Sequence, residues 1–292
     1  MSEKLTTLLE ILNYSANLLK EKHVRDPRLN AELLMADALN CKRLDLYLEF
    51  YKPLKKDETS KFKNYLRRRL NNEPIQYIIG KTNFYGYDIL VDKSVLIPRP
   101  DTEILVENVL KDIKESGKQD VKIFEVGTGS GCIAVALCKE LEKINIMYEY
   151  NGIDNSKPSI ELCLKNFELN NVRNVNVAEH DFLLNDSAAL FGGKKYDYVV
   201  SNPPYIPKNE YNELDPEVRE YEPKMALTDN NDGLTFYKRL IDTFVPGEAK
   251  YFLEIAYNAM PNIESLLKQN NVDKYCFVRD YNNNYRILIM EK

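Results

Sequence analysis

The most specific chemical signal in the sequence is the tetrapeptide Asn202-Pro203-Pro204-Tyr205, which follows an apolar run over residues 196–201. Two consecutive prolines fix the backbone φ angles and remove two N–H donors, so their carbonyl oxygens remain as acceptors with little freedom to move. The Asn202 side-chain oxygen and the Pro203 carbonyl can therefore both accept hydrogen bonds from one NH2 group. The Tyr205 ring can pack on the planar group that carries it. We predict that Asn202, Pro203 and Tyr205 act in catalysis.

Such a clamp suits a transfer to a planar nitrogen. An amide nitrogen is a poor nucleophile because its lone pair is delocalised, and holding both of its hydrogens would aim it at an activated methyl group for in-line displacement. Orientation of this kind can account for about 7–11 kcal/mol of a barrier, and preorganised dipoles stabilise the charge that develops. Neither histidine nor metal is required, and the sequence contains only two histidines. The alternative is a rigid loop that merely ends a strand, because Asn-Pro is a common turn opening.

A glycine-rich segment follows a predicted strand at residues 122–126 and precedes a helical pattern. Glycines let the chain turn tightly and allow a ligand to lie against bare backbone. The spacing G-x-G-x-G differs from the dinucleotide pattern G-x-G-x-x-G. Glu125, two residues before the first glycine, suits the ammonium group of a methionine moiety better than a pyrophosphate, which it would repel. The residues of this segment, all predicted to bind cofactor, are Gly127, Thr128, Gly129, Ser130 and Gly131.

Carboxylates follow the next two predicted strands along the chain. Asp154 ends the run at residues 148–153, and a carboxylate at that strand end can accept both hydroxyls of a ribose. Asp181 and Phe182 follow the run at residues 175–178 and offer a carboxylate for an adenine amino group and a ring for its face. A glycine loop alone occurs at many strand-to-helix turns for backbone reasons. The ordered set predicts a site for S-adenosylmethionine, whose product after transfer is S-adenosylhomocysteine.

Alternating strands and helices must position these residues. From about residue 100 onwards apolar strand runs alternate with helical patterns, which predicts an α/β fold with a mostly parallel, doubly wound, Rossmann-like sheet. A short connection over residues 280–284 should join the last two strands as an antiparallel hairpin at an edge. The seven strands are predicted at residues 122–126, 148–153, 175–178, 196–201, 251–255, 275–279 and 285–290.

The N-terminal part of the chain has a different pattern. Residues 5–70 are predicted to be helical, with apolar residues at helical spacing over residues 5–38, and we expect them to form a small helical bundle. Asp26-Pro27 resembles a helix start, with a capping carboxylate and a proline in the first turn. Residues 76–80 and 84–91 are aromatic, β-branched and punctuated by glycine, so we predict that they pair as strands. The expected domains are a helical substrate-recognition domain at residues 1–73, a linking β-hairpin at 74–98 and a cofactor-binding domain at 99–292.

Composition limits the class of protein. The 292 residues are 44% hydrophobic and 29% charged, which is typical of a globular chain. No run approaches the roughly 18 consecutive apolar residues that span a bilayer. Five cysteines, without metal-ligand or disulfide spacing, favour a reduced, cytoplasmic setting. Residues 1–84 carry 16 basic and 11 acidic side chains, whereas the remainder carries 24 and 34. The excess of basic side chains in residues 1–84 suggests a charged macromolecular partner for this part of the chain. The alternative is merely a solvated helical surface.

The motifs together resemble the HemK/PrmC family of peptide-chain release factor glutamine methyltransferases, over nearly the whole chain. The Asn-Pro-Pro-Tyr motif alone does not identify this family, because adenine-N6 methyltransferases share it. The segment Ile97-Pro98-Arg99-Pro100, joined to a helical N-terminal domain, is more specific. Further matching segments are residues 74–78, 84–86, 95–103, 127–131, 201–206, 222–223, 226–227 and 232–234.

The resemblance implies a class I methyltransferase domain that transfers a methyl group from S-adenosylmethionine to the side-chain nitrogen, N5, of the glutamine in the Gly-Gly-Gln loop of a release factor. In the family, the N-terminal domain and the hairpin help to seat that protein. Implied cofactor contacts are residues 127–131, Asp154, Phe182 and Asn202. Implied substrate contacts are Asn202, Pro203, Pro204 and Tyr205.

The segment around Arg99 and Glu103 admits two interpretations. Both residues are candidate substrate-binding groups, but Pro-Arg-Pro can also be a stiff linker and Thr102 with Glu103 can simply cap the next helix. The chain departs from the family where Asn230-Asn231 replaces a glycine pair and where Ala256 replaces the glycine of Glu-Ile-Gly. Phe182 replaces the tryptophan of some relatives, and Asp101 replaces the commoner glutamate. We expect these changes to tune the activity without removing it.

Two other functions remain open at this point. An adenine-N6 methyltransferase acting on DNA or RNA would use the same tetrapeptide but needs a base-flipping surface and a recognition domain. A non-enzymatic binding module would keep the fold without its chemistry, although the retained Glu125, Asp154 and Asn202 disfavour it. We expect a cytoplasmic monomer with a release factor as protein substrate and with no metal, no direct nucleic-acid target and no membrane association.

Overall fold

The computed structural model describes residues 7–184, 195–243 and 249–291. The chain divides into two compact units. The helical unit comprises Met1–Gly80 and Asp215–Tyr221, and the sheet unit comprises Lys81–Leu214 and Glu222–Lys292. A short segment from the second half of the sequence thus belongs to the helical unit, which the boundaries expected from the sequence did not include.

Helices and strands follow one another as an initial set of helices and then an alternating series. The α-helices are α1 (Leu8–Glu21), α2 (Pro27–Leu39), α3 (Lys56–Leu70), α4 (Ile75–Ile79), α5 (Pro100–Ser116), α6 (Cys132–Lys143), α7 (Lys157–Leu169), α8 (Pro216–Tyr221), α9 (Lys224–Leu227), α10 (Thr235–Asp242) and α11 (Met260–Gln269). The strands are β1 (Lys81–Phe84), β2 (Tyr87–Leu90), β3 (Asp120–Val126), β4 (Met147–Asp154), β5 (Val175–Glu179), β6 (Tyr198–Ser201), β7 (Lys250–Glu254), β8 (Lys274–Arg279) and β9 (Tyr285–Glu291). Within the described residues, 3-10 helices lie at Arg43–Leu48 and Tyr211–Glu213.

The helical unit is built on an apolar core shared by α1, α2 and α3, which confirms the predicted bundle. Leu12, Leu34 and Phe62 are almost completely buried in it. Helix α1 begins with a capping box, in which the Thr7 hydroxyl accepts from the Glu10 N–H and the Glu10 carboxylate accepts from the Thr7 N–H. The capping box thus fixes the start of this helix at Leu8.

The predicted capping by Asp26 is wrong, although helix α2 does begin at Pro27. Asp26 lies in the left-handed region with φ 49°, and its side chain makes no capping hydrogen bond. The Asn30 side chain instead donates to the carbonyls of Arg25 and Asp26, at 2.9 and 3.2 Å. The backbone turn and the fixed φ of proline therefore start this helix without a capping carboxylate.

The strand predicted at residues 76–80 is also wrong, because these residues form helix α4. Pro74 precedes the helix, and Gly80 ends it in the left-handed region with φ 84°. Tyr77 and Ile78 are buried, and Ile78 packs against the core of the helical unit. Tertiary packing thus overrides the β propensity of this stretch. The hairpin itself lies one segment later, where β1 pairs antiparallel with β2 around a turn at Tyr85 and Gly86, both with positive φ.

The sheet unit contains a seven-stranded sheet in the order β5-β4-β3-β6-β7-β9-β8. All neighbouring strands from β5 to β7 are parallel, whereas β9 runs antiparallel to both β7 and β8. The predicted doubly wound sheet with an antiparallel hairpin at one edge is therefore confirmed. Because the carboxyl ends of parallel strands share one edge, the residues that follow β3, β4, β5 and β6 come together there. No helix within the described residues is long and apolar enough to cross a membrane.

Candidate active site

An open cavity lies at the carboxyl ends of the parallel strands of the sheet unit. Its volume is about 990 Å3 when the solvent at its mouth is included. It is the kind of crevice in which open α/β sheets bind ligands. Of the residues predicted from the sequence, those that line the cavity are Arg99, Gly127, Thr128, Gly129, Ser130, Asp154, Asp181, Phe182, Asn202, Pro203 and Pro204. Those that lie outside its lining are Glu103, Glu125, Gly131 and Tyr205.

The glycine loop presents bare backbone to the cavity. Gly127 and Gly129 have positive φ angles of 77° and 54°, and a Cβ at either position would meet no atom within 4 Å. Gly131 precedes helix α6, and a Cβ there would lie only 2.6 Å from the Cys163 sulfur. The first two glycines therefore leave space for a ligand, whereas Gly131 allows the close packing of α6 against its neighbour.

Asp154 holds the glycine loop at the end of β4. Its carboxylate accepts hydrogen bonds from the backbone N–H groups of Gly129, at 2.8 Å, and Ser156, at 2.9 Å. Burial raises the pKa of Asp154, although those backbone donors oppose the shift. Asn166 of α7 also holds the glycine loop, because its Nδ2 donates to the carbonyls of Ser130 and Leu90. The hairpin and the loop are thereby tied together.

The turn after β5 forms a further wall of the cavity. Phe182 is 4% exposed, and Arg239 of α10 lies with its guanidinium 5.9 Å from the centre of that ring. Arg239 also donates to the carbonyls of Phe182 and Leu184, at 3.2 and 2.6 Å. The Arg239 side chain thus holds the Phe182 ring in place. The sequence pattern did not indicate this contact. His180 lies in the same wall, and within the described residues its buried Nε2 has no hydrogen-bond partner.

The tetrapeptide lies directly after β6. The Ser201 hydroxyl donates to the Val126 carbonyl at 2.8 Å, which holds the end of β6 beside the start of the glycine loop. Asn202 Nδ2 donates to the Thr102 hydroxyl oxygen at 3.1 Å. The Tyr205 hydroxyl lies 3.5 Å from Glu254 Oε1, and burial raises the pKa of Tyr205.

The loop between α9 and α10 lies close to the tetrapeptide. Gly233 has φ 79°, and a Cβ there would lie 2.4 Å from the Tyr205 carbonyl oxygen. Asn230 takes up a left-handed conformation with φ 58°, which asparagine tolerates better than most residues. The neighbouring Asp229 carboxylate accepts from the N–H groups of Asn231, Gly233 and Thr235. The Asn230-Asn231 pair is therefore compatible with a tightly hydrogen-bonded turn.

Arg99 and Glu103 have different surroundings. Arg99 lines the cavity and donates to Glu222 Oε1 at 2.5 Å, while Glu222 Oε2 also accepts from the Ile97 N–H. Glu222 is buried, so it anchors both the arginine and the backbone beside it. Glu103 accepts from the Tyr85 N–H at 2.6 Å and thus fixes the turn of the β1–β2 hairpin.

Glu125 lies beneath the glycine loop and is fully buried. Its Oε2 accepts from the Tyr150 hydroxyl at 2.8 Å, and its Oε1 has no donor within the described residues. Burial is the main reason that the pKa of Glu125 is raised well above its ordinary value, and the nearby Asp154 adds to the effect. The described part of the chain contains no group of three or more His, Cys, Asp or Glu side chains that could hold a metal ion.

The sequence patterns did not identify Glu254 as a site residue. It ends β7, the strand next to β6, and is 1% exposed. Burial raises the pKa of Glu254 to about 7, and this shift is opposed by the nearby Thr102 hydroxyl and by the charge of Arg286. Its signals in the sequence were its position at a strand end and the Glu-Ile segment shared with the family. Neither shows that Glu254 lies beside Asn202 until the strand order is known.

Comparisons with known proteins give a consistent result. A family model described as the PrmC N-terminal domain matches residues 10–80, and one described as a methyltransferase small domain matches residues 100–214. The chain is 36% identical to a release factor glutamine methyltransferase of Fusobacterium nucleatum, over 97% of this chain and 78% of that protein. It is 39% identical to the protein of the same name in Geobacter sulfurreducens, over 82% of this chain and 81% of that protein.

Solved structures support the fold. The hMettl16 catalytic domain matches with a TM-score of 0.56 and 16% identity, over 96% of this chain and 91% of that chain. At this level of identity the match concerns the arrangement of strands and helices only.

Proposed function

The chain belongs to the family of release factor glutamine methyltransferases, and on that premise we propose that it methylates the side-chain amide nitrogen, N5, of the glutamine in the Gly-Gly-Gln motif of a peptide-chain release factor. S-adenosylmethionine is the methyl donor and S-adenosylhomocysteine is the product. The observation that carries this proposal is that the glycine loop and the Asn-Pro-Pro corner line one cavity.

The residues around the cavity fit S-adenosylmethionine. When bound, it supplies an electrophilic methyl group on a sulfonium. Gly127 and Gly129 leave open space beside bare backbone, and Asp154 offers a carboxylate at the strand end for ribose hydroxyls. Glu125 lies outside the cavity lining, and its Oε1, which has no donor within the described residues, is the acceptor that we assign to the ammonium group.

Further cofactor contacts follow from the cavity wall. We assign Phe182 to the face of the adenine and Asp181 to its amino group, with Arg239 supporting the ring. Thr128 and Ser130 complete the loop that would hold the methionine part, and Gly131 shapes it through its packing against α7.

The corner after β6 is proposed to hold the substrate amide. Asn202 is tied to Thr102 through Nδ2, which leaves its Oδ1 to accept from the substrate NH2. The carbonyl of Pro203 is the second acceptor, and the Pro204 ring stiffens the corner. Tyr205 would pack its ring on the planar amide. Together these residues orient the nitrogen and stabilise the positive charge that develops on it.

The release factor must also be bound outside the cavity. We propose that the helical unit recognises the release factor, together with the β1–β2 hairpin. Arg99 at the cavity and Glu103 at the hairpin turn are candidate contacts in this recognition. A monomeric state and a cytoplasmic location belong to the same proposal.

Intact-mass analysis of a release factor provides the test. After incubation with this protein and S-adenosylmethionine, the factor is expected to gain the mass of one methyl substitution. A factor whose Gly-Gly-Gln glutamine is replaced by glutamate should gain nothing. Equal labelling of the two factors would contradict the proposed substrate, and labelled adenine in DNA or RNA would favour the alternative.

Two variants serve as a matched pair in the same assay. Asn202→Ala removes the proposed acceptor and should abolish detectable transfer. Asn176→Ala changes an exposed asparagine on β5, outside the cavity lining, and should leave transfer unchanged. Equal rates for both variants would remove Asn202 from the mechanism.

A further inference from the structure

Three basic side chains form a row along the exposed side of helix α3 in the helical unit. Lys56, Lys63 and Arg67 are all exposed. With about 3.6 residues per turn, their positions lie within about 40° of one another around the helix axis. At a rise of about 1.5 Å per residue, the row extends over about 17 Å of the helix. We call these three residues the basic stripe.

The other cations of α3 are neutralised by carboxylates of the helical unit. These ion pairs are Lys61–Asp37 at 3.2 Å, Arg68–Glu73 at 2.8 Å and Arg69–Glu217 at 2.6 Å. Within the described residues, no side chain of the basic stripe has an acidic partner within 4 Å. The exposed Asp57 lies about 100° away from Lys56 around the helix axis, outside the stripe. The fold therefore leaves the positive charge of the stripe without a counter-charge.

The stability of α3 does not account for this arrangement. Lys63 and Arg67 are four residues apart, and like charges at that spacing destabilise a helix. Lys56 lies in the first turn, where the helix dipole disfavours a cation. The dipole favours Arg67 alone, because that residue lies in the last turn. A partner of opposite charge would remove the repulsion within the stripe.

The charge of the whole chain favours a protein over a nucleic acid as that partner. The residues after position 84 carry 24 basic and 34 acidic side chains, so the chain as a whole repels a long polyanion. Three cations also provide few of the phosphate contacts on which nucleic-acid binding depends. An acidic patch on a folded protein needs to match only the length of the stripe. The Gly-Gly-Gln loop contains no charged side chain, so the patch must lie elsewhere on the substrate protein.

We propose that the basic stripe of α3 binds an acidic patch on the release factor, outside its Gly-Gly-Gln loop. This inference rests on the proposed function and assigns the recognition by the helical unit to three residues. None of the three lines the cavity, so the stripe acts on binding of the substrate protein and not on methyl transfer itself. Charge pairing across an interface speeds encounter and fixes orientation, and salt weakens it.

Charge reversal of the stripe tests the proposal. With Lys56→Glu, Lys63→Glu and Arg67→Glu combined in one protein, we expect KM for the release factor to rise about 10²-fold, with kcat within about twofold of wild type. Affinity for S-adenosylmethionine should also remain within about twofold, because the cavity is unchanged. In about 0.5 M salt the difference in KM should shrink to about threefold, since charges are then screened over about 4 Å.

A second reversed protein serves as the matched control. It combines Lys165→Glu, Arg173→Glu and Lys274→Glu, which are exposed cations of the sheet unit outside the cavity lining. The net charge changes by the same amount, and KM for the release factor should stay within about threefold of wild type. Replacing the three residues of the stripe by glutamine provides a milder variant, for which we expect KM to rise about 10-fold. Circular dichroism verifies that each protein is folded, and the glutamine variant decides alone if the reversed stripe protein is not.

Two results would overturn the inference. One is a KM within about threefold of wild type for the reversed stripe at low salt, and the other is an equal increase in both reversed proteins. An oligouridylate that binds wild type but not the reversed stripe, with KM for the release factor unchanged, would assign the stripe to RNA instead. Calorimetric titration with the release factor measures the same difference in affinity without methyl transfer. Failure of wild type to methylate a factor that it binds through the stripe would contradict the proposed function alone.

Discussion

Two buried carboxylates, one in each unit, are stabilised to different degrees. Glu32 of α2 and Glu254 of β7 are both 1% exposed. Burial alone would raise the pKa of Glu32, but hydrogen bonds from three donors outweigh it and the pKa is lowered. For Glu254 burial prevails and the pKa rises to about 7. The donors to Glu32 are Arg28 at 2.7 Å, Arg43 at 2.8 Å and Tyr47 at 2.9 Å.

The difference indicates what each carboxylate does. Glu32 connects α2 to the 3-10 helix at Arg43–Leu48 with nearly complete hydrogen bonding, as expected of a group that stabilises a fold. Glu254 remains short of donors beside the Asn-Pro-Pro corner, at a cost to stability. Strongly perturbed carboxylates in a cleft are typical of functional sites.

The largest expected effect comes from Glu254→Gln at about pH 8. The ordinary pKa of 4.5 is raised to about 7, so the contribution of Glu254 to stability is full at low pH and is lost as pH rises between these values. Removing the buried charge should therefore increase the free energy of unfolding above pH 7 by up to about 3 kcal/mol, at 1.36 kcal/mol per pKa unit.

Thermal unfolding of wild type and Glu254→Gln between about pH 5 and pH 8 measures this directly. The advantage of the variant should grow with pH and disappear towards pH 5. A variant that is less stable at every pH would mean that Glu254 is structural, and the contrast with Glu32 would fail.

Glu32→Gln should have the opposite effect on stability. We expect the free energy of unfolding of the helical unit to fall by about 2 kcal/mol near neutral pH, less than for a fully buried pair because Arg28 and Arg43 are partly exposed. Because the pKa of Glu32 is lowered on folding, its contribution exists above pH 4.5 and is lost as pH falls through the lowered value. Chemical denaturation followed by circular dichroism checks this, and a variant as stable as wild type would contradict it.

Gly233→Ala tests the backbone packing beside the Asn-Pro-Pro corner. A Cβ at this position would clash with the Tyr205 carbonyl at 2.4 Å, in addition to the strain of φ 79°. We expect a loss of about 1–3 kcal/mol together with slower methyl transfer. Gly117→Ala is the matched control, because φ there is 68° but a Cβ would meet nothing within 4 Å. Equal effects of the two variants would mean that the clash is relieved without moving the corner.

The smallest expected effect is that of Tyr205→Phe on stability. Its hydroxyl is 3.5 Å from Glu254 Oε1, which is long for a hydrogen bond, so the loss should remain within about 0.5 kcal/mol. Tyr237→Phe should cost about 1 kcal/mol, because that hydroxyl donates to the Glu254 carbonyl at 2.7 Å. Thermal unfolding compares the two, and a larger loss for Tyr205→Phe would show that Glu254 depends on that hydroxyl for stability.

The sequence was informative where local pattern determines structure. The alternating strand runs predicted the seven strands, and the strand ends at Val126, Asp154 and Ser201 brought the glycine loop, the carboxylate and the tetrapeptide to one cavity. The strand predicted at residues 76–80 is a helix instead. The packing of Ile78 in the helical core and the end of the helix at Gly80 outweigh the β propensity of these residues.

Other features depend on contacts between distant residues and could not be predicted. Asn202 of the tetrapeptide contacts the Thr102 hydroxyl and lies beside the strand that ends at Glu254, and these neighbours depend on the packing of α5 and β7 beside β6. The return of residues 215–221 to the helical unit is fixed by the ion pair of Glu217 with the buried Arg69, at 2.6 Å. Such pairings are a property of the folded chain and leave no periodic trace in the sequence.

Fragmentation mass spectrometry of a release factor treated with this protein and S-adenosylmethionine tests the central claim most directly. The account predicts a single methyl group on the side-chain nitrogen of the Gly-Gly-Gln glutamine, present after treatment with wild type and absent after treatment with Asn202→Ala. A methyl group on any other residue, or the same modification produced by Asn202→Ala, would contradict it.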